Sequence, residues 1–333
     1  MSPKRPPIPI SMEKQGGGEI AAKRARRTSA ADAAEDRLSA LPDDILVLIL
    51  LRLRTPKAAR TSILARRWRC VWGLLPELRF ASFPEPHGFC DALDAWAVPL
   101  GYLLVGGMGA APAESLATWL PAVARRLFGK FVLVDKDPGT PAEGDSDEVE
   151  ATERGALDLP YFEEATSISL DLGFIGLAVP PAGVFARLTE LSLIGVRFDG
   201  PCDLGDAVSL PRCPCLQNLT VQNARGLENL IIHSDSLRLV LLKMVRGLQQ
   251  LTIAAALLEK LCVVCCFFYE QAQHPVISIS VPLLKVLKWA DVYDPRSMHL
   301  GKMEHLRSLC TFYLVYGPES FAQNHTSDAH VAF

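Results

Sequence analysis

The most regular part of the sequence is "LQNLTVQNARGLENLIIHSDSLRLVLLKMVRGLQQLTIAAALLEKLCVV", residues 216–264. Leu216, Leu237 and Leu258 each begin a triplet in which the residues three and five positions further on are also apolar. These starts lie 21 residues apart, and triplets that begin at Leu227 and Leu248 fall about midway between them. The stretch is therefore a repeat of about 21 residues in which each unit contains two short apolar segments.

The same spacing continues on both sides of this stretch. The triplets are Leu188/Leu191/Leu193, Leu216/Leu219/Val221, Leu227/Leu230/Ile232, Leu237/Val240/Leu242, Leu248/Leu251/Ile253, Leu258/Leu261/Val263 and Leu284/Leu287/Trp289, with weaker matches from Ala165 and Leu306. The period lies in the range of leucine-rich repeats, and chance matching of a leucine-rich sequence is the alternative. The last two residues of each triplet are two positions apart, so in a strand both of their side chains point to the same, inner face. About ten residues remain for the return, too few for a long helix, so we predict strand-like or irregular backs.

One such repeat cannot bury its own apolar face, whereas stacked repeats close a continuous core. We therefore predict a solenoid with a curved parallel sheet, whose outward-facing residues form an extended binding surface. With the short helices predicted below, the fold class is α+β. The exposed positions between the leucines carry no readable code, so the substrate-binding residues and the target are unknown from the sequence.

Composition limits the kinds of protein that this chain can be. The 333 residues are 49% hydrophobic and 21% charged, as in a soluble globular protein of about two structural units. The formal net charge of −3 gives no overall attraction to nucleic acid or to an acidic membrane. No stretch approaches the roughly 18 uninterrupted apolar residues of a membrane-spanning helix, and the run of residues 45–51 is broken at Arg52. Proline and charge near the N-terminus argue against a secretory signal, so we expect the nine cysteines to be thiols in a reducing compartment.

Changes of composition divide the chain into segments. We predict a disordered tail (1–36), a helical module (37–80), a connecting segment (81–122), a repeat domain (123–316) with an acidic loop at 135–155, and a second disordered tail (317–333). The basic run Lys23 to Arg27 is compatible with nuclear import, or simply with a solvated tail. We expect the protein in the cytoplasm, the nucleus or both.

The helical module begins at "LPDDILVLILLRLR", residues 41–54. Pro42 can take the first helical position, and Asp43 and Asp44 then lie in the first turn, where negative charge is favoured. The next helix is predicted to begin at Thr55 with a capping side chain, and to have an inner face of Ala59, Ile63 and Leu64. The first helix has almost no polar side, and a module of this size cannot cover it completely. Part of its cover must therefore come from another protein or from the repeat domain.

A third short helix is predicted in "ARRWRCVW", residues 65–72, with Trp68, Val71 and Trp72 on one face. Residues 38–80 as a whole closely resemble an F-box, in the form found in plant F-box proteins with leucine-rich repeats. The resemblance is carried by Leu41-Pro42, the acidic residues after it, "RTSIL" (60–64) and "RRWR" (66–69). With lower specificity it continues through the repeats to about residue 310.

The resemblance implies a function. F-box proteins are substrate receptors of SCF ubiquitin ligases: the F-box docks on a Skp adaptor, which links it to a cullin and a RING subunit, while the repeats hold the target. An alternative is a repeat scaffold that assembles no ligase and uses the helices only as a cap. Carried over residue by residue, the adaptor-binding set is Leu41, Pro42, Ile45, Leu46, Ile49, Leu50, Leu53, Leu64 and Trp68. Among these, Leu46, Leu50 and Trp68 fit the core of the module as well as the adaptor surface.

Two departures from the family pattern are visible. Ala65 stands where many members have serine, so a helix cap worth about 0.5–2 kcal/mol is expected to be missing. After Tyr316 the sequence is polar and unpatterned, whereas relatives often continue into a further region, so we expect a shortened form or a poorly covered last repeat.

No catalytic or metal-binding pattern stands out. Cys262 and Cys265 lie three apart, which in a strand points them to opposite faces, so buried thiols are favoured over zinc. The sequence has neither a His-Glu-x-x-His nor a Gly-x-Ser-x-Gly motif. Trp68 and Trp72 lie among arginines, as in single-strand nucleic-acid binders, but a helix core accounts for them better. We predict a non-catalytic protein with no cofactor, no metal, no nucleic-acid partner and no membrane association.

Overall fold

The computed structural model describes residues 40–81, 89–90, 93, 96, 98–107, 113–134, 155–180, 182–198, 204–267, 275–291, 295–313 and 325–329. For Pro56 and for residues from 312 onward, it describes the backbone only. The chain forms two compact units, residues 1–49 and residues 50–333, and each is described by itself. The basic run Lys23 to Arg27, the predicted tail 1–36 and nearly all of the acidic loop 135–155 lie outside the described residues.

Three short helices come first along the chain. They are α1 (Asp43–Leu51), α2 (Thr55–Thr61) and α3 (Arg66–Trp72). Helix α1 begins one residue later than predicted, because the carbonyl oxygen of Pro42 accepts the first hydrogen bonds, from the N–H groups of Ile45 (3.1 Å) and Leu46 (3.2 Å). Three helices were predicted in this part of the chain, and the prediction is confirmed.

The second unit is built on a sheet of eleven strands, in which each strand pairs with the strand of the next repeat. In spatial order the strands are β1 (Glu77–Phe80), β2 (Leu100–Val105), β3 (Leu127–Val134), β5 (Ser167–Asp171), β7 (Glu190–Ile194), β8 (Asn218–Arg225), β10 (Leu239–Arg246), β12 (Lys260–Val264), β14 (Val286–Ala290), β16 (Ser308–Tyr313) and β17 (His325–Ala329). All neighbours are parallel except β16 and β17, which are antiparallel.

A second, four-stranded parallel sheet forms the return side of the later repeats. Its strands are β9 (Asn229–Ser234), β11 (Gln250–Ala255), β13 (Val276–Ser280) and β15 (Met298–Leu300). The strands β4 (Ala156–Asp158) and β6 (Gly176–Ala178) form a separate parallel pair. Two further helices are α4 (Ala113–Arg126) and α5 (Leu204–Val208). The prediction of strand-like backs is confirmed by β9 and β11, which fill the half-period positions.

The predicted apolar triplets form the core of the repeats. Leu219 of β8 is in register with Val240 of β10, and Val240 with Leu261 of β12. All three side chains are buried, as are the triplet starts Leu216 and Leu237. The α+β class, with short N-terminal helices followed by a parallel leucine-rich-repeat solenoid, is thereby confirmed.

The sheet extends further in both directions than the predicted repeat domain of 123–316. Strand β1 lies inside the range predicted as the helical module, β2 and most of α4 lie in the predicted connecting segment, and β17 lies in the predicted C-terminal tail. Leu100, Leu103 and Val105 follow the same triplet spacing and are buried. The sequence prediction did not include them, because it treated residues 81–122 as a connecting segment.

Among the described residues, the helices are all too short or too polar to cross a lipid bilayer.

Candidate functional site

The first unit carries its exposed apolar residues on α1. Asp43 and Asp44 occupy the first turn and are exposed, as is Pro42 just before them. Leu46 is completely buried, whereas 41% of Ile45 and 57% of Leu48 remain in contact with solvent. A large leucine side chain that is more than half exposed on a regular helix has unused capacity to bury apolar surface against a partner.

The second unit continues α1 with the same alternation of buried and exposed side chains. Leu50 is 1% exposed, while Leu51 and Leu53 are 37% and 40% exposed. The N–H of Leu53 donates to the carbonyl of Leu50 (2.9 Å), which closes the end of the helix before the basic residues Arg52 and Arg54. In both units, therefore, some apolar side chains of this helix are buried and others are exposed to water.

Helix α2 begins without the cap that was predicted for it. The structure gives it no side-chain cap, and the Thr55 side chain is instead buried, with its Oγ1 accepting the backbone N–H of Arg79 at 2.7 Å. The prediction of a capping role for Thr55 is therefore wrong, because the hydroxyl satisfies a donor on strand β1. This bond ties the start of α2 to the first strand of the large sheet.

The turn after α2 carries the most exposed large apolar residues described in the chain. Ile63 and Leu64 are 79% and 72% exposed. Both were predicted to lie on the inner face of α2, and this is wrong because the helix ends at Thr61. The buried residue of α2 is Ala58, whereas the predicted inner residue Ala59 is only half-buried.

Helix α3 is anchored by its aromatic face, as predicted. Trp68 and Val71 are buried, and the ring of Trp72 meets that of Trp96 edge to face at 5.1 Å between centroids. The residue before the helix, Ala65, makes no side-chain cap, in agreement with the departure noted in the sequence. The tryptophans of α3 therefore serve the fold of the second unit.

The nine residues predicted to bind an adaptor divide into three groups by exposure. Those exposed are Pro42, Ile45, Leu53 and Leu64, those partly exposed are Leu41 and Ile49, and those buried in the chain are Leu46, Leu50 and Trp68. For the three buried residues, the sequence had left open whether they belong to the core of the module or to the adaptor surface.

Three exposed apolar residues were missing from that prediction: Leu48, Leu51 and Ile63. A signal for them was present, because α1 has almost no polar side and Leu48 and Leu51 fall outside its main apolar stripe. Ile63 is adjacent to Leu64 in the "RTSIL" stretch. The exposed apolar set is therefore Ile45 and Leu48 in the first unit, and Leu51, Leu53, Ile63 and Leu64 in the second.

In the second unit, the exposed apolar residues lie in a basic stretch of the chain. Arg52, Arg54, Arg60, Arg66 and Arg69 are all exposed. The Nε of Arg69 donates to the carbonyl of Ser62 at 3.3 Å, so this arginine is held beside the turn that carries Ile63. An acidic partner surface would complement this part of the chain.

Between its buried leucines, the large sheet presents rows of partly or fully exposed residues. One row in register consists of Thr220, Leu241, Cys262, Lys288 and Cys310. At the strand starts, the Nζ of Lys285 lies 2.9 Å from Oε2 of Glu259, and this hydrogen bond with the positive charge of Lys285 lowers the pKa of the glutamate. This face is the outward-facing surface of the repeats.

The described part of the chain contains no group of three or more His, Cys, Asp or Glu residues able to hold a metal ion. Burial raises the pKa of the Cys213 and Cys266 thiols to about 12, and it also raises the pKa of Cys262 and Cys265. The Sγ of Cys213 donates to the carbonyl of Ala207 at 3.0 Å. Thiols in this state are poor ligands and poor nucleophiles, because the thiolate is the reactive form.

Comparison with known proteins gives a match over the repeats. The family model described as "FBD-associated F-box protein At5g56370, LRR repeats" matches residues 150–303. The "Putative F-box/FBD/LRR-repeat protein At4g03220" of Arabidopsis thaliana is 28% identical over 284 residues, covering 82% of this chain and 55% of that protein. The chain thus spans about half the length of this curated relative. No solved structure matches.

Shorter matches reach higher identity. The "Putative F-box/FBD/LRR-repeat protein At3g49480" of Arabidopsis thaliana is 56% identical over 46 residues, which are 14% of this chain and 10% of that protein. The "F-box/FBD/LRR-repeat protein At2g04230" of the same plant is 52% identical over 60 residues, which are 18% of this chain and 13% of that protein.

Proposed function

Because the chain belongs to the family of plant F-box proteins with leucine-rich repeats, we propose that it is the substrate receptor of an SCF-type ubiquitin ligase. The helical segment docks on a Skp-type adaptor, which connects it to a cullin and a RING subunit. The repeats bind a target protein and hold it where ubiquitin is transferred. The chain itself contributes position and no catalytic group.

The observation that carries the proposal is the exposure of large apolar side chains in the helical segment of each unit. Ile45 and Leu48 in the first unit, and Ile63 and Leu64 in the second, are between 41% and 79% exposed. Burying apolar surface is worth about 0.025 kcal/mol per Å², so each of these side chains offers about 1 kcal/mol or more to a partner.

The exposures also refine which residues make the docking surface. We propose that the exposed apolar set binds the adaptor, with Leu41, Pro42 and Ile49 beside it. Leu46, Leu50 and Trp68 act indirectly, because their side chains are already buried in the chain. The exposed arginines of the second unit are expected to lie at the rim, where charges steer association more than they add affinity.

The test is binding of the purified full-length chain to a Skp adaptor, measured by isothermal titration calorimetry. Two double variants address the two units separately: Ile45→Asp with Leu48→Asp, and Ile63→Asp with Leu64→Asp. A carboxylate placed in an apolar contact must be desolvated without a partner, so each variant is expected to bind at least about a hundredfold more weakly. The matched control is Leu257→Asp, an exposed leucine (42%) of the repeats.

All replaced residues are exposed, so the variants are expected to keep the circular dichroism spectrum and melting temperature of the parent chain. Wild-type affinity in both folded double variants, or no adaptor binding by the parent chain, would contradict the proposal. An equal loss in the Leu257→Asp control would show a nonspecific effect of added charge and would also count against it.

A second candidate function is a repeat scaffold whose helices only cap the solenoid. The bond from the Arg79 N–H to Thr55 Oγ1 favours it, because it joins α2 to the first strand in the way a terminal cap joins its neighbour. The two functions differ in their complexes. A receptor recovers adaptor, cullin and RING subunit together, whereas a scaffold recovers its target without them.

We further propose that the protein acts in the cytoplasm or the nucleus. Lys23 to Arg27 would promote nuclear entry, and a fluorescent fusion in which these basic residues are replaced tests this against the parent sequence.

A further inference from the structure

An arginine occupies the same position in three successive repeats of the second unit. Arg197 follows β7, Arg225 ends β8 and Arg246 ends β10. Arg197 pairs with Arg225 in a parallel bridge, and Arg225 is in register with Arg246. Neighbouring strands lie about 4.8 Å apart, so the three backbone positions are evenly spaced along one edge of the sheet. We call these residues the arginine row.

The row is encoded as a repeated sequence feature. "ARGL" (224–227) and "VRGL" (245–248) lie 21 residues apart, and "VR" (196–197) precedes them. The residue before each arginine is buried, whereas each arginine is partly exposed. Because successive side chains of a strand point to opposite faces, the three arginines share the outer side.

The backbone turns in the same way ahead of each arginine. Two residues before the row stand Gly195, Asn223 and Met244, with φ angles of +56°, +50° and +52°. Such angles are unfavourable for a residue with a side chain, and here they recur in register. The turn therefore presents the three arginines in the same local conformation.

The row has clear ends. On one side Arg197 is bridged to Gly176, which has no side chain. On the other, the residue 21 positions after Arg246 is Phe267, whose ring stacks on Trp289 at 6.2 Å between centroids. The three arginines thus form one bounded row along the sheet edge.

The central arginine is held and oriented by an aromatic ring. The Cζ of Arg225 lies 4.5 Å from the centroid of Phe174. The Nε of Arg225 is buried and has no hydrogen-bond partner among the described residues. Stacking on the ring fixes the plane of the guanidinium, so its terminal nitrogens are oriented to donate to an oxyanion.

A carboxylate or phosphate can accept parallel hydrogen bonds from a guanidinium fork. We infer that the arginine row binds an acidic segment of the target protein, one that presents carboxylate or phosphate groups along the sheet edge. Naming the ligand as the target rests on the proposed function, whereas binding of the acidic segment can be measured without the adaptor.

The experiment uses the full-length chain and short fluorescein-labelled peptides in fluorescence anisotropy. One peptide carries alternating glutamates, one carries phosphoserines at the same positions, and one carries glutamines. Arg225→Met keeps an unbranched side chain against Phe174 but removes the charge and donors, and Arg225→Lys keeps the charge without the fork. The matched control is Arg238→Ala, an exposed arginine at the start of β10 that lies 3.7 Å from Glu259.

The glutamate or the phosphoserine peptide is expected to bind more tightly than the glutamine peptide and to lose affinity as salt is added. Arg225→Met should weaken this binding about tenfold or more, Arg225→Lys less, and Arg238→Ala hardly at all. Which of the two acidic peptides binds better identifies the group that is recognised.

Three results would overturn the inference: acidic peptides that bind no better than the glutamine peptide, a folded Arg225→Met variant with unchanged affinity, or an equal loss in Arg238→Ala. Tighter binding of a single-stranded oligonucleotide with the same dependence on Arg225 would also overturn it, by assigning the row to nucleic acid. Adaptor binding by the Arg225 variants is expected to be unchanged, so failure here and failure of the receptor function are distinguishable.

Discussion

Replacing Asp291 by alanine tests how the chain is held where it leaves β12. Asp291 is buried, and its Oδ2 accepts the backbone N–H of Cys266. The N–H of Phe267 lies 3.2 Å from Oδ1 and 3.1 Å from Oδ2 of the same carboxylate. Since Asp291 directly follows β14, one side chain fastens the turn of one repeat to the strand of the next.

The expected loss can be worked out from these contacts. Alanine leaves two backbone donors without an acceptor, and an unmade buried hydrogen bond costs about 1–3 kcal/mol. Cys266 is buried, whereas Phe267 is half-buried and its N–H can regain water in part. We therefore expect Asp291→Ala to lower the free energy of unfolding by about 2–4 kcal/mol, and Asp291→Asn by about half as much, because the amide keeps an acceptor oxygen.

Urea denaturation followed by tryptophan fluorescence measures the loss, and hydrogen exchange at the amides of Cys266 and Phe267 locates it. The control is Asp235→Ala, an exposed aspartate in the turn after β9, for which less than about 0.5 kcal/mol is expected. Equal stability of the Asp291→Ala and Asp235→Ala variants would refute the reasoning, as would unchanged exchange at the Cys266 amide.

Two glycines with positive φ and the buried thiol of Cys213 give further predictions. Gly226 and Gly247 both have positive φ (+77° and +92°), but only at Gly226 would an added Cβ meet a backbone atom, the carbonyl oxygen of Phe198 at 2.1 Å. Gly226→Ala should therefore lower the free energy of unfolding by about 2 kcal/mol or more, and Gly247→Ala by about 1 kcal/mol. Urea denaturation measures both losses. Similar losses at the two glycines would contradict this. Burial raises the pKa of Cys213 to about 12, so at pH 8 iodoacetamide should label exposed Cys215 and leave Cys213 unmodified until the chain unfolds, as read by mass spectrometry of peptides. Equal labelling of Cys213 and Cys215 in the folded chain would refute the reasoning. Between about pH 9 and 12 the folded chain keeps the proton of Cys213 while the unfolded chain releases it, so the free energy of unfolding should fall as the pH rises through that range.

The regular part of the fold was predictable because two simple rules act together there. Apolar residues at positions i, i+3 and i+5 give a strand with one buried face, and a constant repeat length brings equivalent residues of successive repeats into register. Leu219, Val240 and Leu261 obey both rules and form the centre of the sheet. The half-period triplets at Leu227 and Leu248 likewise marked the strands of the second sheet.

Prediction was incomplete where long-range packing decides between local options. Leu103 of β2 continues the register of the sheet, but its intervals to its partners Leu78 and Phe131 differ from 21 residues, so no constant period marks it in the sequence. The hydroxyl of Thr55 can cap its own helix or accept a donor from β1, and only the packed structure determines which. On α1 the apolar pattern identified residues that need cover, but not that Leu46 and Leu50 are covered by the chain and Leu48 is not.

The even register of the strands has a consequence for how the repeats tolerate changes of length. Each pair of register partners closes a loop, and the entropy lost on closing it grows only with the logarithm of loop length, by about 0.6 kcal/mol per doubling. Val240 and Leu261 close a loop of one repeat, while Phe131 and Ile168 close one less than twice as long, which includes the acidic stretch 135–155. That insertion therefore costs about half a kilocalorie per mole in closure entropy. A longer segment between two repeats therefore adds little entropic cost to the pairing of the strands that it connects.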